Sequence, residues 1–74
     1  MKFLEVKGTM YNLNKFMTIS KYDLSKYANT EDCAPYVIYL STGTSIFNGE
    51  IIKLEFNSFE EWVTVWNKIR ELTK

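Results

Sequence analysis

Seventy-four residues are read as a single domain, 1–74, since domains typically run to about 100–200 residues each. Nine Lys plus Arg balance nine Asp plus Glu, while 46% hydrophobic and 16% aromatic residues describe a globular chain rather than a disordered one. With no histidine and a lone cysteine, Cys33, the chain has no Ser-His or Cys-His nucleophile pair, no His-ligated zinc, no internal disulfide and no Cys-rich metal cage.

Other classes fall for similar reasons. Gly8, Gly43 and Gly49 stand alone, so neither a Walker loop nor a GxGxxG nucleotide cradle is present. No apolar run approaches the roughly 18 residues of a membrane span. Glu5 and Lys7 fall where a signal peptide needs its apolar stretch. A small secreted domain would usually carry several disulfides, so the expected location is the cytoplasm.

Taken in chain order, residues 2–7 predict a short strand with Leu4 and Val6 inward and Glu5 and Lys7 in water. Gly8 breaks it. Residues 9–22 hold a second strand-like stretch whose middle, Asn12-Leu13-Asn14, is poor strand material. A kink, bulge or single helical turn is expected there, dividing a piece near 9–11 from a longer one near 16–22. Residues 23–35 read as a long loop, with Leu24 and Tyr27 as candidate pins to the body.

Residues 36–41, Tyr-Val-Ile-Tyr-Leu-Ser, give the clearest strand signal. Two hairpin signals follow, Ser41 to Thr44 and then Asn48-Gly49. Residues 50–56 predict a last strand, with Ile52, Leu54 and Phe56 on one face and Ile51, Lys53 and Glu55 on the other. Ser58 with Glu61 forms a capping box for a helix over 59–72. At about 100° per residue its apolar set spans roughly half the circumference, wider than one small sheet needs.

The surplus apolar arc is where a second chain or a partner protein would sit. Trp62 and Trp66 lie one turn apart and are expected in the core, with Trp and Tyr also favoured as interface anchors. The residues expected to meet a partner are Tyr27, Tyr39, Phe47, Trp66 and Arg70. Cys33 follows Glu31 and Asp32, which raise a thiol pKa, so it reads as a small packed residue and not a nucleophile. Adjacent carboxylates such as Glu60 and Glu61 do not face each other on a helix, and both already serve the helix N-terminus. No catalytic, cofactor-binding or metal-binding residue is expected.

The order of elements resembles small strand-rich proteins with a C-terminal helix from phages and Gram-positive bacteria. These include pleckstrin-homology-like mini-domains and small flagellar accessory proteins. The likeness lies in the layout from Tyr11-Asn12-Leu13-Asn14 through the Tyr36-to-Gly43 arm and Phe56 to the capped helix. It implies a cytoplasmic, non-enzymatic module working by protein contact, such as a phage-encoded inhibitor or adaptor acting on host or defence machinery.

The expected fold is α+β, an antiparallel meander of four or five strands packed by one C-terminal helix. Its expected core is Phe3 or Leu4, Val6, Leu13, Met17, Ile19, Ile38, Leu40, Ile52, Leu54, Phe56, Trp62, Trp66 and Ile69. The second sheet face would then carry Phe3, Phe16, Phe47 and Ile51, too apolar a surface for a monomer. A protein partner or a homodimer is expected to cover it. The alternative function is a nucleic-acid-binding accessory protein using Lys15, Lys21, Lys26, Lys53 and tyrosines. Its weakness is the charge, which is zero in total and only +1 over residues 1–37 and −1 over residues 38–74.

Overall fold

The computed structural model of the protein describes residues 2–26, 34–44 and 49–73. Strands β1 (Phe3–Val6) and β2 (Thr9–Asn12) form a hairpin that turns on Lys7 and Gly8. Both turn residues have positive φ, 51° and 84°, as a two-residue loop between right-twisted strands requires. Asn12 then caps a single 3-10 turn, Leu13–Lys15, its side-chain oxygen accepting the Asn14 amide at 3.0 Å. The Leu13 amide donates to the Lys2 carbonyl at 2.7 Å, which closes the hairpin sheet and sends the chain out of it.

Here the structure corrects the sequence reading. The strands do not make one meander of four or five; they divide into a sheet of two and a sheet of three. The second sheet joins β3 (Thr18–Asp23), β4 (Tyr36–Ser41) and β5 (Ile51–Phe56), antiparallel and in that spatial order. The 3-10 turn is the physical cause, since it consumes the residues that would have let β2 continue into β3.

Helix α1 (Phe59–Leu72) lies against the face of β3–β5 that carries Ile19, Ile38, Leu40, Leu54 and Phe56. Ser58 caps it, its hydroxyl accepting the Glu61 amide at 3.3 Å. Trp62, Val65 and Ile69 point into the core, together with Leu4, Val6 and Leu13 from the hairpin side. No helix among the described residues is long and apolar enough to cross a membrane.

Several core expectations change. Met17 is 69% exposed, because it falls at the end of the sheet, before β3 has begun. Phe3 is exposed while its neighbour Leu4 is buried, as strand alternation demands. Trp66 is half-buried. Val37 and Val65 join the buried set, Val37 on the central strand between Tyr22 of β3 and Glu55 of β5.

The second face of the three-stranded sheet is not the apolar surface that was expected. It carries Thr18, Ser20, Tyr22, Tyr39, Lys53 and Glu55 around the buried Val37 and Ser41. Of the three described residues among the four expected there, Ile51 alone is on it. Phe3 belongs to the other sheet and Phe16 packs against the core, while Phe47 lies outside the described residues.

The two edges of the sheet differ. In antiparallel pairing, residues alternate between facing their partner strand and facing outward. Glu55 faces outward on β5, and the Lys7 ammonium donates to its carbonyl at 2.6 Å. The same ammonium lies 5.2 Å from the centre of the Phe56 ring. The outer edge of β5 is thus capped by the turn of the first hairpin.

Candidate functional site

With Trp62, Val65 and Ile69 facing the sheet, a turn of about 100° per residue places Phe59, Val63, Trp66 and Arg70 on one flank of α1. The opposite flank, with Lys68 and Leu72, lies beside Phe3 and Met10 of the hairpin. The first flank therefore overlooks β3. Its rings are joined to one another: Tyr36 meets Phe59 edge-on with centroids 5.6 Å apart and Trp62 at 5.1 Å, and Phe59 stands 5.7 Å from Trp62. Phe59 remains 53% exposed.

Lys21 completes the surface. It projects from β3 on the helix side, and its ammonium lies 5.2 Å from the centroids of both Trp62 and Trp66. Such cation–π contacts contribute about 0.5–1 kcal/mol each at exposed sites. Among the described residues the sole ion pair is Lys15 with Glu50 at 3.5 Å, so neither Lys21 nor Arg70 meets a carboxylate there. Asp23, two residues along the strand, is engaged by its own turn, its carboxylate accepting the Ser25 amide at 2.9 Å. Hydrogen bonds from the Ser25 side chain and backbone hold its pKa below the ordinary 3.8, with Lys26 adding a smaller pull.

The backbone of β3 adds a further element. Leu24 donates to Pro35 at 2.7 Å, so Tyr22 and Ser20 also face β4 while Ile19, Lys21 and Asp23 direct their amides and carbonyls outward. No described strand pairs with that edge.

The sequence-predicted partner residues are not brought together. Tyr39 lies on the second face of the sheet, edge-on to Tyr22 with centroids 5.8 Å apart. Trp66 and Arg70 stand on the helix side, so the sheet separates them from Tyr39. Tyr27 and Phe47 lie outside the described residues. Phe59, Tyr36 and Val63 were missed as surface residues, although the spacing from Phe59 through Val63 and Trp66 to Arg70 is itself a helical stripe.

The lysines proposed for nucleic acid also scatter. Lys21 and Lys53 project from opposite faces of the sheet, and Lys15 is paired with Glu50. Two shallow depressions, of about 240 and 380 Å³, lie beside the hairpin and open widely to solvent. No group of three or more His, Cys, Asp or Glu among the described residues is placed to hold a metal ion. No family model, no curated protein and no solved structure matches the chain.

Proposed function

We propose that this chain is a small non-enzymatic protein-binding module that acts by stoichiometric contact. The observation that carries the reading is the α1 flank, where Phe59, Val63 and Trp66 offer aromatic and aliphatic surface beside two cations, Lys21 and Arg70, that meet no carboxylate among the described residues. Aromatic residues and Arg are the groups that dominate the energetics of protein interfaces. An inhibitor or adaptor acting on host or defence machinery is the role that the layout resemblance implies, and such a role needs a contact surface and no chemistry.

A second copy of the chain is the other occupant to consider. Zero net charge sets up no long-range repulsion between copies. The dimer was expected on two grounds, the wide apolar arc of α1 and an apolar second sheet face. The described residues of that face are mixed in character, with Thr18, Ser20, Lys53 and Glu55 beside Tyr22, Tyr39 and Ile51. The α1 flank carries Lys21 and Arg70, which a second copy docked flank to flank would meet with like charge. A different protein is therefore the proposed occupant of the α1 flank.

Affinity capture from cells that carry the gene tests it, comparing the wild-type chain with Phe59→Ser and Tyr22→Ser. A protein retained in equimolar amount, lost with Phe59→Ser and kept with Tyr22→Ser, is expected. Retention that depends on Tyr22 alone moves the contact to the other face, and no equimolar retention overturns the reading.

A further inference from the structure

We infer that the partner is an extended segment carrying acidic and aliphatic side chains, added as a fourth strand along the outer edge of β3. This rests on the protein-binding reading above and specifies which partner chemistry the α1 flank accepts. Three features of the β3 edge and the α1 flank support it.

The first is the backbone. Ile19, Lys21 and Asp23 turn their N–H and C=O groups away from β4, which makes the outer side of β3 a template for main-chain pairing. The other edge of the sheet is not equivalent, since Lys7 already holds the outward carbonyl of Glu55.

The second is the side-chain register. The residues with outward backbone groups are those whose side chains lie on the helix side of the sheet. A strand paired with them places every second side chain on that same side, beside Trp66, Val63 and Phe59. Aliphatic residues at alternate positions fit this flank, and the main-chain bonds supply affinity without dictating sequence.

The third is charge. Lys21 stands on the template strand and Arg70 at the far end of the flank, and neither meets a carboxylate among the described residues. Asp23, the carboxylate closest along the strand, is turned onto Ser25. The surface left over is cationic and aromatic. Acidic side chains on the incoming strand complement it, and basic ones meet repulsion from Lys21.

Selection from a displayed library of random twelve-residue peptides, with the full chain as bait, tests the inference. Expected are sequences that alternate aliphatic residues and include Asp or Glu. Their synthetic versions should slow amide exchange at Ile19, Lys21 and Asp23 on binding. Charge reversal at Lys21→Glu or Arg70→Glu, each checked for an unchanged circular dichroism spectrum, should weaken binding about tenfold or more. Peptides N-methylated on the paired side should fail to bind.

Peptides that perturb the α1 flank while leaving the exchange of those amides unchanged overturn strand addition and leave the protein-binding reading standing. Basic selected sequences, or no enrichment at all, overturn the stated partner chemistry. Slowed exchange at β3 that appears with rising protein concentration and no peptide overturns it in favour of a second copy.

Discussion

The indole N–H of Trp62 donates to the backbone carbonyl of Val37 over 3.1 Å, tying the helix to the central strand of the sheet. Both residues are buried, Val37 completely. The bond fixes the rotation of α1, and with it the flank that presents Phe59, Trp66 and Arg70.

Trp62→Ala removes the ring and this bond together and should cost about 3–5 kcal/mol, enough to unfold most of the population of so small a domain. Trp62→Phe keeps an aromatic ring and loses the donor, and should cost about 1–2 kcal/mol. Urea denaturation of the two variants checks the order; equal midpoints would deny the hydrogen bond any part.

The cap of α1 gives a smaller effect. Ser58→Ala leaves the Glu61 amide without its side-chain acceptor and should cost about 1 kcal/mol. Ser58→Asp should retain most of the stability. Thermal melts of the three chains, compared at one pH, provide the measurement.

Gly49 and Gly8 form a matched pair of probes. Both have positive φ, 75° and 84°, so alanine is strained at either. At Gly8 an added methyl group meets nothing within 4 Å, whereas at Gly49 it would strike the Thr42 hydroxyl and sit 2.9 Å from the Gly43 amide nitrogen. Gly8→Ala should cost about 1 kcal/mol and Gly49→Ala clearly more. Equal losses in chemical denaturation would show that the Thr42–Gly43 backbone yields freely.

Asp23 ties the end of β3 to its turn through Ser25. Its folded pKa is depressed, so the contribution of the ionised carboxylate is present above the ordinary value of 3.8 and is lost as pH falls through the lower folded value. The Ser25 amide resonance should therefore titrate with a midpoint below 3.8. Asp23→Asn should abolish that titration, and a midpoint above 3.8 would contradict the hydrogen bond.

Local signals in the sequence translated well into elements. Helix 59–72 with its Ser58 cap, the strand at Tyr36–Ser41 and the interruption at Asn12-Leu13-Asn14 all follow from residue type and spacing. Sheet membership did not, because strand periodicity says which face a residue occupies and nothing about which strand lies beside it. Met17 shows the same limit: its type suits a core, but its position just before β3 leaves it in water. The partner residues were scattered for a related reason. Tyr39 and Trp66 each have the character of an interface anchor, yet only the packing of α1 on one face of the sheet decides that they point apart. Lys21 gained its place beside the indoles from that same packing.

Lys7 has a consequence beyond the turn it occupies. Its ammonium occupies the outward Glu55 carbonyl of β5, so among the described strands β3 offers the edge with no such stopper for main-chain growth of the three-stranded sheet. A sheet with a valence of one ends after a single addition, whatever the added strand is, and does not propagate into a filament. Lys7→Gly, which suits the φ of 51° at that turn, would remove the stopper and raise the valence to two, which turns a terminating contact into a polymerising one.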